Sequence, residues 1–250
     1  MKRFLILMIP IGKIKHRLME KYLPTEKSVV ITKDTKCLVI GPHPDDETIG
    51  CGGIMLKYPN NFDCAVLASA GCGKDKKVAE KNAEVRIKEF NKVMEKTGIK
   101  NYWIFKTFGV PPMYREIKRN MHDYLKNLDT KKYDYIFIPH PNDGHREHKY
   151  ISRNIVKKIL RHNGYKRGLK ICYYGVWTPL MGATHFENTE PVREKKYKLL
   201  EMYESQNITV SYPDMADGLN KYYGGLSHAN MKYAEAFRVV SVRQYLWGKR

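Results

Sequence analysis

A disulfide framework, a membrane span and a nucleotide-binding glycine loop are all missing from this chain. Its five cysteines (Cys37, Cys51, Cys64, Cys72 and Cys172) are scattered and contain no C-x-x-C pair. That excludes a stapled secreted scaffold and suits a reducing compartment, so a cytoplasmic location is expected. The 250 residues can bury a sizeable core without cross-links. No apolar run approaches the ~20 residues that cross a bilayer. The nearest, residues 4–11, lies between Lys2-Arg3 and the bases Lys13, Lys15 and Arg17. It resembles the start of a secretory signal but has no small-residue cleavage site. Two readings remain for it, a basic anchor on anionic lipid or a helix packed on the domain. No G-x-G-x-x-G opens the first helix, so a dinucleotide site has no support. Acid is the scarce charge, with 26 Asp and Glu against 45 Lys and Arg, for a net +19. A basic surface draws polyanions. Yet the lysines are dispersed, and there is no Arg-rich block, zinc-finger spacing or aromatic–basic RNA-binding motif. Nucleic acid is therefore not an expected partner; peripheral contact with a membrane surface is compatible with the charge.

Short apolar runs alternate with helical spacing. Strands are expected at 28–32 (an edge strand), 37–41, 64–68, 102–105, 135–138 and 171–177, with helices over 48–56, 77–97, 114–128, 149–161 and 192–205. Such alternation implies βαβ units, hence an α/β, Rossmann-like three-layer fold around a largely parallel sheet. The chain divides into an N-terminal extension, 1–34, and one domain, 35–250. Gly50, Gly52 and Gly53 fall inside the first helix, where they would let it approach the sheet closely.

Two polar clusters stand out. His43, Asp45 and Asp46 follow the 37–41 strand and enter the first helix. His140, Asp143, His145, Glu147 and His148 follow the 135–138 strand. Both lie at carboxyl ends of parallel strands, so they share one rim, where open α/β sheets hold their ligands. A polar capping turn would explain one Asp but not the His and the second Asp. Imidazole and carboxylate groups without thiolate suit zinc or another first-row divalent ion. Two His and one Asp would leave an open position for water and spare groups for proton transfer. Side chains on neighbouring residues diverge, so Asp45 and Asp46 should not share one ion.

Pro42-His43-Pro44-Asp45-Asp46-Glu47-Thr48, the following Gly50-Cys51-Gly52-Gly53, and the downstream Asn142-Asp143-x-His145-x-x-His148 resemble the LmbE-like, or PIG-L, family of zinc-dependent N-deacetylases. The resemblance extends through Arg86-x-x-Glu89, Tyr203-x-Ser205-Gln206 and residues 233–237, covering roughly 36–240. It implies a hydrolase that removes an N-acetyl group from an N-acetylglucosamine-type glycoconjugate or polysaccharide precursor. It implies His43, Asp46 and His148 as zinc ligands and Asp45 as general base. His145 would stabilise the oxyanion or protonate the leaving amine, and Arg86 would hold a hydroxyl or phosphate of the sugar. Gly41-Pro42 stands where the family commonly has a small residue before its His, and the loop 71–74 is not the usual Gly-Asp type, which bears on the substrate. Two alternatives stay open. One is a deacylase of a small amino sugar or a non-sugar amide. The other is a non-catalytic basic module that binds polyanions or membranes, which would have no need for the His/Asp set.

Overall fold

The computed structural model describes residues 28–109, 112–227 and 230–248. Strand β1 (Cys37–Gly41) leads through the first cluster into helix α1 (Asp46–Lys57). β2 (Phe62–Val66), β3 (Gly71–Cys72), α2 (Lys76–Thr97), β4 (Tyr102–Ile104) and β5 (Phe108–Gly109) follow. Then come α3 (Tyr114–Arg119), α4 (Met121–Asn127) and β6 (Tyr135–Pro139). Past the second cluster, α5 (Arg146–Tyr150) continues through a π-helical stretch, Ile151–Ile155, into α6 (Val156–Asn163). The chain closes with β7 (Lys170–Tyr174), β8 (His185–Asn188), α7 (Arg193–Glu201), α8 (Tyr212–Leu226), β9 (Ala234–Ser241) and α9 (Val242–Trp247).

Seven strands form the central sheet in the order β4-β2-β1-β6-β7-β9-β8. The first five are parallel, and β9 runs antiparallel between β7 and β8. Alternate residues of β1 enter different cores. Leu38 and Ile40 join one buried cluster; Cys37 and Val39 join the other. With a side-chain period of two, this means that the sheet is covered on both faces. The order reverses between β1 and β6, so the loops after these strands diverge and open a crevice between them.

The glycines of α1 admit particular neighbours. A Cβ on Gly50 would lie 2.2 Å from the ring of Tyr174 on β7, so only glycine lets the helix sit this close to the sheet. A Cβ on Gly53 would meet Thr189 at 2.3 Å and Glu235 Oε1 at 3.0 Å. Glu235 uses this gap. Its carboxylate accepts from the Gly53 and Ile54 N–H groups at 2.6 and 2.9 Å and pairs with Lys196 Nζ at 2.8 Å. Lys196 also donates to the Ile49 carbonyl. A buried ion pair is thus wedged against the middle of α1.

Several expectations shift. Residues 28–32 form no strand: Val29 is buried but Val30 is exposed. Residues 1–27 of the N-terminal extension, including the apolar stretch and its anchor reading, lie outside the described residues. The single helix over 114–128 is two, meeting at Asn120. The loop after β2 carries a two-residue strand that pairs with β5. The tail contributes α8, β9 and α9, none of which shows a clean period in the sequence. In β9 the consecutive residues Ala234, Glu235, Ala236 and Phe237 are all buried, which hides the alternation of a half-buried strand.

Candidate active site

β1 ends at Gly41, and the next residues turn sharply. Asp45 has φ 113°, a left-handed conformation rare for a residue with a Cβ. The turn sends its carboxylate to Arg86, with Asp45 Oδ2 at 3.2 Å from Arg86 Nη2. Asp46 points the other way. Its Oδ2 accepts from the His43 N–H at 2.8 Å and lies 3.3 Å from His43 Nδ1 and 3.1 Å from His148 Nε2. The two imidazole nitrogens are 3.4 Å apart. These three atoms form a nearly equilateral triangle. Its sides match the ~3.3 Å edge of a tetrahedron whose ligands sit about 2.0–2.1 Å from the centre.

A carboxylate engages the other nitrogen of each of these rings. His43 Nε2 is 2.6 Å from Glu147 Oε2, and Glu147 Oε1 is fixed by the Met113 N–H at 2.6 Å. His148 Nδ1 is paired with Asp143 Oδ1 at 3.0 Å, somewhat off the hydrogen-bond line. Asp143 has no exposed surface. Its Oδ1 also takes the His145 N–H, and its Oδ2 takes the N–H groups of Val176, Trp177 and Thr178. Carboxylates in this position fix the ring tautomer and leave the inward nitrogen's lone pair free.

His145 caps α5, and its Nδ1 accepts from the Glu147 N–H at 3.3 Å. Burial and the neighbouring imidazoles push its pKa down to about 4. Asp45 is pushed well above the carboxylate range by burial and by the charge of Asp46, with Arg86 opposing. Burial works against charge at Asp46 as well, but the His148 and His43 imidazoles outweigh it and hold Asp46 well below that range. Nitrogens of His43, His145 and His148 lie within 4.8 Å of one another, and this group could hold a metal ion.

His43, Asp45, Asp46, Arg86, His145 and Glu147 line a cavity of about 190 Å³, with His148 buried behind them. The structure brings together every sequence-expected site residue: His43, Asp45, Asp46, Arg86, His145 and His148. Arg86 also donates to the Pro44 carbonyl at 3.1 Å. His140 turns aside, its ring set against Tyr173. Trp177, Tyr212, Gln206 and Met113 also line the cavity, and they were not singled out as site residues in the sequence. Gln206 carried a signal, as the end of Tyr203-x-Ser205-Gln206. That stretch is docked by two carboxylates. Tyr203 donates to Glu47 Oε1 at 2.6 Å, while Ser205 donates from its N–H and hydroxyl to Glu89. The other three had none, because their place depends on loops folding back over the rim.

Residues 38–159 match the family model described as PIG-L, GlcNAc-PI de-N-acetylase. No curated protein sequence matches the chain. Among solved structures, an N,N'-diacetylchitobiose deacetylase from Pyrococcus horikoshii is similar at 22% identity and a TM-score of 0.62, over 84% of this chain and 85% of that one. A conserved protein from Thermus thermophilus shares 18% identity at a TM-score of 0.62, over 83% and 94%. A 4-carboxy-2-hydroxymuconate hydratase from Pseudomonas putida shares 15% identity at 0.55, over 82% and 96%. At these identities the likeness concerns the fold, which serves more than one reaction. The two polar motifs lie within the matched segment and meet on one rim, so over residues 38–159 the chain resembles the PIG-L, or LmbE-like, family of N-deacetylases.

Proposed function

We propose that this chain is a zinc-dependent amidohydrolase that removes the N-acetyl group from an N-acetylglucosamine-type sugar on a glycoconjugate or polysaccharide precursor. The observation that carries the reading is the triangle of His43 Nδ1, Asp46 Oδ2 and His148 Nε2, with sides of 3.1–3.4 Å. These three residues hold the ion. His145 is the poorer third ligand. Its Nδ1 already accepts a backbone N–H, so the neutral ring carries its proton on Nε2 and has no lone pair there to offer.

Zinc, when bound, would polarise the amide carbonyl and bring the pKa of water towards ~7. The chain supplies the rest. Asp45, desolvated and beside the triangle, takes the proton of the attacking water. The water oxygen bonds to the acetyl carbon, the C–N bond breaks, and a proton passes to the amine nitrogen as acetate leaves. Base catalysis of this kind is worth roughly 10²–10⁴-fold. The neutral His145 donates its Nε2–H to the oxyanion, a role that needs no imidazolium. Arg86 fixes the direction of Asp45 at the cavity wall, where it would meet a hydroxyl of the sugar.

Metal content by elemental analysis, combined with acetate release from free, phosphorylated and lipid-linked N-acetyl sugars, tests the proposal. One metal per chain and acetate from an N-acetyl sugar are expected. Absence of metal, or of acetate from every sugar, overturns it, and turnover confined to a non-sugar amide moves the substrate to that class. The five unpaired thiols support a cytoplasmic enzyme. Among the described residues no helix is long and apolar enough to cross a membrane. Contact of the N-terminal segment with a membrane surface is a separate proposal. It predicts that deleting residues 1–22 abolishes binding to anionic vesicles; unchanged binding rejects it.

A further inference from the structure

We infer that the acceptor of this site is a neutral sugar ring stacked on Trp177, and not a phosphorylated one; the inference rests on the deacetylase reading above. Trp177 lines the cavity, yet 43% of its surface is open. Its ring meets Tyr212 edge to face, with centroids 6.1 Å apart and planes at 79°. The cavity is otherwise walled mainly by His, Asp, Glu, Arg and Gln side chains. A broad apolar face at the mouth of such a cavity fits a ligand that is polar at one end and presents C–H groups at the other. A pyranose ring on an acetamide has this form.

The platform is built in place. The Trp177 N–H donates to Asp143 Oδ2 at 3.0 Å, between the parallel donations from Val176 and Thr178. Gly144 lies against it, and a Cβ there would come within 3.4 Å of Trp177 Cβ. The carboxylate that orients His148 therefore also sets the Trp177 loop, which fixes the distance from platform to reacting centre.

The charges point the same way. Among the described residues that line the cavity, Asp45, Asp46 and Glu147 are acids, and Arg86 is the one Lys or Arg. Its guanidinium is already engaged by Asp45 and by the Pro44 carbonyl. An ion held by the triangle would be committed to the amide and water of the reaction itself. Among the described lining residues a phosphate on the acceptor would find no free cation, and it would lose its hydration without compensation. Sugar hydroxyls, which donate as well as accept, suit carboxylates and the Gln206 amide.

The test compares wild type with W177A and W177F. Substrates are the methyl β-glycoside of N-acetylglucosamine, its β-1,4-linked dimer, N-acetylglucosamine 1-phosphate, and the ring-free amide N-acetylethanolamine. W177A should lower kcat/KM for the dimer about fivefold to tenfold, mainly through KM, and W177F should keep most of it. N-acetylethanolamine should change less than twofold, and the neutral glycosides should outrun the 1-phosphate. A preference for the phosphate, or a W177A loss under twofold on the dimer, overturns the inference. Tryptophan fluorescence titrated with the dimer is read in parallel and needs no turnover. A shift that W177F abolishes supports stacking even if no acetate is released, in which case the deacetylase reading fails and the platform stands. Absence of any shift overturns the platform itself.

Discussion

At Asp45 the backbone adopts φ 113°, a conformation that costs about 1–3 kcal/mol for a residue with a Cβ. Two neighbouring carboxylates are driven apart there, one to Arg86 and the other to the paired imidazoles. This separation predicts different losses at the two positions. D45A should cut turnover by about 10²–10⁴-fold while leaving metal content unchanged. Loss of the metal along with the activity would place Asp45 among the ligands instead. H148A removes a corner of the triangle and should abolish stoichiometric metal. Asp143 acts one step further out, through His148 and three backbone donors. D143N should weaken metal affinity about 10–100-fold in a chelator competition, and unchanged affinity would reduce its role to holding the 176–178 loop.

Helix α1 presents Asp46 at its first turn, and its middle is pressed between Tyr174 and the Lys196–Glu235 pair. G50A would drive a methyl into the Tyr174 ring. A loss of about 1–3 kcal/mol is expected, read as a Tm lowered by roughly 2–4 °C per kcal/mol for a chain of this size. Lys196 and Glu235 are both nearly fully buried. K196M would leave the Glu235 carboxylate without its cation, and chemical denaturation should show a loss of about 3–5 kcal/mol. A loss under about 1 kcal/mol would mean that the Gly53 and Ile54 N–H groups suffice to hold that carboxylate.

For the molecule as a whole, the thiols report on the core. Cys37, Cys51, Cys64 and Cys172 are buried, and Cys72 is half-buried at the cavity wall. Burial raises all of them above the ordinary thiol value of 9.0. A thiol whose folded pKa is raised holds its proton more firmly in the native state, and the unfolded chain releases it first. Stability should therefore fall as pH rises above about 9. Alkylation of the native protein should label Cys72 alone, with the other four reacting only in denaturant, as mass spectrometry would show. Early labelling of Cys51 or Cys172 would mean that the face under α1 opens locally.

Much of this architecture can be read directly from the chain. The runs around Val39, Ala65 and Phe137 are continuous and apolar because a doubly covered parallel sheet buries both faces, so β1, β2 and β6 announce themselves. His43-Pro44-Asp45-Asp46 and His145-x-x-His148 are close-set, and strand-to-helix connections leave such residues on one rim. Other features depend on contacts between distant segments. β9 buries Glu235 beside Ala234 and Ala236, so it reads as no strand until Lys196 and the gap at Gly53 are seen to receive it. Trp177 reaches the cavity from a loop fixed by Asp143, and Tyr212 from the first residue of α8. Local sequence determined the strands and the metal-grade motifs, because period and spacing are properties of neighbours. Tertiary structure alone decided which carboxylate orients which imidazole, and what wall the substrate meets, because those pairings join residues far apart along the chain.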